Sequence, residues 1–292
     1  MIIDAQHHYY IDRSAPVDIN RRLNWMDEYG IDVAVLTNPL PFTSVEKLST
    51  LREYNDKIAS VEREHPDRFL SCPSIPIFDN NAAIDELECV VASNDSRTVL
   101  IQPYNWRMDY DYLSPVFDKL TDLGLPIFMH PVFNDVPIEK TYGDYAMAAA
   151  LGFSFNTSVA ISRLIFSGLL DTYPRLKFVV PHLGGALPFL VGRLEAIFDP
   201  ETYHIHRPVA DYFDSFYFDI VCYRKEALEF ALSVFGANRL VFGTDFGCPG
   251  KNFVRPQMLK EYVGSLDISG DDKERILGRN LADLLKIKIL AK

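Results

Sequence analysis

Eight short apolar runs, each followed by a stretch with helical spacing, constrain this chain more than any other feature. The runs are Met1–His8, Asp32–Asn38, Arg68–Pro76, Thr98–Tyr104, Pro126–His130, Lys177–His182, Phe216–Cys222 and Leu240–Asp245. The helical segments are Val17–Tyr29, Ser44–Glu64, Asn80–Ala92, Tyr112–Leu123, Ala146–Thr172, Gly185–Phe198, Arg224–Phe235 and Arg255–Ser265. VAVL at 33–36 and FVV at 178–180 are unbroken apolar runs, as expected of strands covered on both faces. Alternating β and α units predict a parallel sheet with right-handed crossovers, and eight of them can close into a (β/α)8 TIM barrel. A doubly wound open sheet is the rival. It lacks its usual support, because no glycine-rich phosphate loop follows the first strand.

Local punctuation agrees with these boundaries. Gly30 fits the left-handed position that closes the first helix. Tyr173-Pro174 ends the fifth, because proline has no N–H and crowds the preceding turn. No Gly/Ser linker, repeat or low-complexity tract divides the chain, so residues 1–292 read as one barrel domain. The balance of 29 basic against 40 acidic residues, a net charge of −11, argues against a nucleic-acid partner. Cys72, Cys89, Cys222 and Cys248 form no CxxC pair and read as reduced thiols. No signal-peptide pattern opens the chain, and no apolar stretch reads as the ~20 residues a bilayer span requires. The expectation is a soluble, cytoplasmic protein without a membrane partner.

Polar residues collect where these strands end. The first ends in Gln6 and His8, the fifth in His130, the sixth in His182 and the eighth in Asp245. In a (β/α)8 barrel the C-terminal strand ends converge on one mouth, where catalytic groups gather. Side chains alternate along a strand, so Asp4, Gln6 and His8 are expected on one face and Ala5 and His7 on the other. His8 is therefore the histidine predicted to line the mouth, and His7 points out toward the helices.

Six stretches stand out: LGFSFNTSVAISRLIFSGLLDTYPRLKFVVPHLGGALPFLVGRL (151–194), IFMHP (127–131), LVFGTDFGCP (240–249), ILGRNLADLL (276–285), MDEYGIDVAVL (26–36) and REHPDRF (63–69). They resemble the amidohydrolase superfamily, in particular the branch of aminocarboxymuconate semialdehyde decarboxylase and related aromatic acid decarboxylases. The resemblance implies a barrel of the metal-dependent hydrolase type and suggests a homodimer. It also implies that His8, His130 and Asp245 are metal ligands, with His182 an acid/base beside the metal. The family normally carries Asp-x-His-x-His on the first strand. Asp4 and His8 match, whereas Gln6 replaces the first histidine. Related decarboxylases can carry Glu at this position, and related lactonases can work without metal.

Two imidazoles and a carboxylate suit Zn²⁺, Mn²⁺ or Fe²⁺. The neutral amide of Gln6 is a weaker, harder donor that tilts the set toward Mn²⁺, or holds a metal-bound water instead. His182 titrates in its free state near neutrality, as an acid/base must; the alternative is a core histidine. Asp245 reads as a ligand, a base, or a helix cap. Trp106 reads as a pocket wall or ordinary packing, and Arg207 as a carboxylate clamp or a solvated loop residue. His204 and His206 suggest a second metal site less than a surface or capping role, and His65 closes a helix. The leading reading is a metal-dependent, non-oxidative decarboxylase of a small aromatic or unsaturated carboxylic acid. The alternatives are hydrolysis of a lactone, ester or amide, and a non-catalytic barrel that binds a small acid.

Overall fold

The computed structural model describes residues 1–9, 18–38, 47–94, 96–103, 107–131, 144–199, 205–247 and 256–287. Among them run β1 (Ile3–His8), β2 (Val33–Thr37), β3 (Phe69–Ser71), β4 (Val99–Ile101), β5 (Ile127–Met129), β6 (Phe178–Val180), β7 (Phe216–Asp219) and β8 (Leu240–Val241). Around them lie α1 (Ile19–Tyr29), α2 (Leu48–Glu64), α3 (Asn80–Asn94), α4 (Ser114–Leu123), α5 (Phe153–Phe166) and α6 (Leu169–Thr172). The chain continues through α7 (Leu187–Ile197), α8 (Lys225–Phe235), α9 (Pro256–Gly264), α10 (Gly270–Glu274) and α11 (Asn280–Leu284).

All strand pairs are parallel, in the ladders β1-β2-β3 and β4-β5-β6-β7-β8. Hydrogen bonds join the two ladders at both seams. At one, Leu100 N–H donates to Pro73 O at 2.7 Å and Ile75 N–H to Leu100 O at 2.9 Å. Asn55 of α2 brackets that seam, accepting Ser74 N–H at 2.8 Å and donating to Ser74 O at 3.0 Å. At the other, Ala5 N–H donates to Phe242 O at 2.9 Å and His8 N–H to Phe246 O at 2.8 Å. The (β/α)8 architecture predicted from the alternation is thus present.

Side-chain alternation produces two apolar layers. Ile3, Ala5, Val33, Val35, Leu70, Cys72, Leu100, Phe128, Val179 and Val241 fill the barrel interior, and Leu281, Ala282 and Leu285 plug its floor. The other face of each strand packs against the helices, as Leu36, Phe69, Ile101, Phe178 and Phe218 do.

Most strands are shorter than predicted, because the chain leaves the ladder early to shape the mouth. The predicted helix 146–172 is broken by a π-helical turn at Ala148–Gly152 and again at Gly168, whose φ is +74°. The stretch Ala148–Phe166 corrects the membrane reading in one respect. At 19 residues it is long and apolar enough by length and composition to cross a bilayer, although here it lies along the barrel with less than half of it buried. Helices α10 and α11 were missed by the sequence reading. Asn280 anchors the latter, donating to the carbonyls of Ala237 and Leu240 at 2.8 Å each. Gly30 caps α1 in the left-handed conformation and His65 caps α2, both as expected.

Candidate functional site

A bulge in β1 decides which of its residues face the mouth. Asp4 pairs with Ala34 and His7 with Leu36, so β1 carries one more residue than β2 across this interval. Simple alternation over Asp4, Gln6 and His8 is therefore corrected. Asp4 turns outward with His7, Ala5 turns inward, and Gln6 and His8 both reach the mouth side. Asp4 stabilises the irregularity by accepting four hydrogen bonds. They come from Gln6 N–H (3.2 Å), Thr244 N–H (2.8 Å), the Thr244 hydroxyl (2.6 Å) and His7 Nδ1–H (3.0 Å).

His7 is outside the mouth, as predicted. Its ring stacks on Phe246 at 4.3 Å and meets the Trp25 ring at 5.7 Å. Burial, only partly countered by Asp4, lowers its pKa to about 4, so the imidazole is neutral. Arg22 of α1 is fully buried behind it and donates to the His8 carbonyl at 2.8 Å.

Gln6, His8, His130 and Asp245 come together inside the mouth. His8 Nε2–H donates to Asp245 Oδ1 at 2.8 Å, and the Thr37 hydroxyl donates to His8 Nδ1 at 3.1 Å. Gln6 Nε2 donates to the same Asp245 oxygen at 3.3 Å. The His8 and His130 rings meet edge-on at 4.9 Å. Burial and the neighbouring imidazoles of His8 and His182 push the His130 pKa well below its ordinary value. Burial alone would raise Asp245, but the His8 hydrogen bond and the three imidazoles outweigh it and hold the carboxyl below its usual range. A small cavity, room for about one water molecule, is lined by Gln6, Thr37, His130, Pro181 and Asp219.

His182 stands beside this group, half-buried, on a turn of unusual backbone. His182, Leu183, Gly184 and Gly185 all have positive φ, at +57°, +53°, +73° and +67°. Asp245 is left-handed too, at +56°. Such non-glycine conformations cost about 1–3 kcal/mol each and persist only where the surroundings enforce them. Burial lowers the His182 pKa, with Asp245 pulling the other way. A Cβ on Gly185 would lie 2.1 Å from the Ser154 carbonyl, which is how closely this turn packs on α5.

Asp219 was missed by the sequence reading. It ends β7, is 2% exposed, and accepts His182 N–H at 2.7 Å and Val221 N–H at 3.0 Å on Oδ1. Burial raises its pKa well above the ordinary value. Tyr217 packs inward, so by alternation Asp219, two residues on, faces the mouth. Drawing the strand to Cys222 left Asp219 mid-strand and hid it.

The remaining candidates fall elsewhere. Trp106 and His204 lie outside the described residues. Arg207 is corrected: its guanidinium faces Asp171 at 3.5 Å and covers the Tyr212 ring at 4.1 Å, on the segment leading into β7. That is the entry end of the strand, away from the mouth, so Arg207 braces the barrel instead of clamping a substrate. His206 is exposed on the same segment, its backbone N–H bonded to the Tyr212 hydroxyl at 3.1 Å.

Among the described residues, no three His, Cys, Asp or Glu side chains surround one point at metal-ligand spacing. His8 Nε2 and Asp245 Oδ1 are hydrogen-bonded to each other. The chemistry of the donor set nonetheless fits a divalent ion: imidazoles, a carboxylate held ionised, and the buried Gln6 Oε1, which has no hydrogen-bond partner among the described residues.

A parallel barrel with histidines and an aspartate at its C-terminal strand ends is the architecture of an amidohydrolase. The amidohydrolase family model matches residues 3–287, and the chain belongs to that family. It is 28% identical to the 2-amino-3-carboxymuconate-6-semialdehyde decarboxylase of Dictyostelium discoideum, over 98% of this chain and 81% of that protein. It is 29% identical to the gamma-resorcylate decarboxylase of Polaromonas sp., over 94% of this chain and 90% of that one. The structure of a dihydroxybenzoic acid decarboxylase from Polaromonas sp., with bound manganese and the inhibitor 2-nitroresorcinol, superposes with a TM-score of 0.87 at 26% identity. That match covers 99% of this chain and 98% of the other. By name these relatives are decarboxylases.

Proposed function

We propose that the chain, one domain over residues 1–292, is a metal-dependent, non-oxidative decarboxylase of a small aromatic or unsaturated carboxylic acid. The observation that carries this reading is the inward cluster of Gln6, His8, His130 and Asp245, with His182 at its edge, in a chain whose relatives decarboxylate such acids. His8, His130 and Asp245 would hold one Mn²⁺ or Zn²⁺, with Gln6 as a weak or indirect donor. When bound, that ion supplies positive charge that orients an anionic substrate and steadies charge developing in the transition state.

The reaction breaks the bond from the substrate carbon to its carboxyl group. CO2 leaves, the electron pair stays on carbon, and a proton takes the vacated position. His182 is suited to deliver that proton. Burial keeps it neutral in the free site, and an anionic substrate beside it raises its proton affinity, so it gains a proton when one is needed. Asp245 is the second candidate for proton handling, since it already shares a hydrogen with His8. Neighbouring buried groups would exclude water from the carbanionic carbon, which favours a single delivered proton.

A reduced, cytoplasmic setting is consistent with Cys72 and Cys222, buried and not in a disulfide. A homodimer is proposed through the face of α5 and α7. There Phe155, Phe189 and Ile197 are 42%, 81% and 53% exposed beside an apolar groove whose Arg163 is paired with Asp109. A monomer in sedimentation at micromolar concentration would remove that assignment.

His130→Ala tests the metal reading. It should lower bound metal and turnover together, whereas unchanged metal content would exclude His130 as a ligand.

A further inference from the structure

We propose that Asp219 is the residue that positions the His182 imidazole, by fixing the left-handed turn on which it is carried. The inference rests on His182 being the group that moves the proton.

Asp219 Oδ1 accepts the His182 backbone N–H at 2.7 Å and the Val221 N–H at 3.0 Å, so one oxygen ties the end of β6 to the end of β7. The turn it holds runs through four consecutive residues of positive φ, beginning with His182 itself. A run of two such non-glycine residues is costly, so outside contacts must impose it. From α5, the Ser158 hydroxyl accepts Ala186 N–H at 2.8 Å and donates to Ser154 O at 2.7 Å, bracing the far end of the turn. Asp219 braces the near end, where the imidazole is attached.

The space for Asp219 is also built. A Cβ on Gly243 would stand 3.0 Å from the Asp219 Cβ and 3.3 Å from its Oδ2, so a side chain there would press on Asp219. Because burial favours the neutral acid, the carboxyl acts here through acceptor geometry more than through charge. An asparagine amide oxygen can accept the same two N–H bonds.

The experiment compares Asp219→Ala, Asp219→Asn and Gly243→Ala in the full-length enzyme. Readouts are kcat, KM and the ring signals of ¹⁵N-histidine-labelled protein, with His182 identified by its loss in His182→Asn. Asp219→Ala should lower kcat by ~10²-fold, the scale of an ångström misplacement of a catalytic group. KM should stay within roughly threefold if Asp219 does not itself bind substrate. The His182 signal should shift in the same variant. Asp219→Asn should restore most of kcat and the wild-type signal. Gly243→Ala, which crowds Asp219, should shift the signal as Asp219→Ala does, and it serves if the alanine variant does not fold. An unmoved His182 signal in Asp219→Ala or Gly243→Ala would overturn the proposal, as would Asp219→Asn falling as far as alanine. The ring signals need no turnover, so an enzyme that decarboxylates nothing would sink the functional reading while leaving the positioning test intact.

Discussion

Replacing His7 with Asn should flatten the acid dependence of stability by an amount that follows from burial. His7 has no exposed surface, and its pKa falls from 6.5 to about 4 on folding. The folded chain therefore binds this proton less tightly than the unfolded chain does. Acid favours the state that binds more protons, so the contribution is present above pH 6.5 and is lost as pH falls toward about 4. Between pH 7 and pH 4.5 that loss amounts to roughly 2.5 kcal/mol, at ~1.4 kcal/mol per pKa unit. Asn keeps an N–H that can reach Asp4 but carries no titrating group. It forfeits the stacking on Phe246, which lowers stability at every pH without changing the slope. Urea unfolding of both proteins at the two pH values, with chelator present throughout, gives the difference of differences. The wild type should lose about 2.5 kcal/mol more than His7→Asn. Equal losses would mean that His7 is solvated or charged in the fold, and that the outward assignment across the β1 bulge is wrong.

Two further substitutions probe the mouth. His182→Asn keeps polarity and approximate size but cannot titrate near neutrality, so metal should be retained while turnover drops ~10²–10⁴-fold; near-normal turnover would leave His182 a structural role only. Gln6→His should raise zinc affinity in competition with a chelator, because imidazole is a better donor to borderline metals than an amide. Unchanged zinc affinity would take Gln6 out of metal binding and leave its hydrogen bond to Asp245 as its function.

Repeating β and α units and the polar strand ends were enough to read the barrel and to bring Gln6, His8, His130, His182 and Asp245 to one end of it, because barrel closure converts a position along a strand into a place in space. The exceptions have local causes. The bulge between Asp4 and His7 depends on Asp4 bonding Thr244, a residue of β8's extension far away in sequence, so no strand-by-strand reading exposes it. Asp219 was lost to an overlong strand. Arg207 looked available for a substrate because its partners, Asp171 and Tyr212, meet it only through the packing of the segments that enter β6 and β7. The break at Gly168 was foreshadowed only by the glycine itself, and the apolar spacing around it gave no sign of interruption.

The proposed reaction exchanges a carboxyl group for a proton. Purified protein supplied with Mn²⁺ should be incubated in D2O with a panel of hydroxybenzoates and muconates, following CO2 and the product by NMR. One CO2 should appear for each substrate consumed, with one deuterium at the carbon that carried the carboxylate, and the rate of both should fall ~10²–10⁴-fold in His182→Asn. Release of no CO2 from any acid in the panel, alongside hydrolysis of lactones or amides by the same preparation, would contradict it.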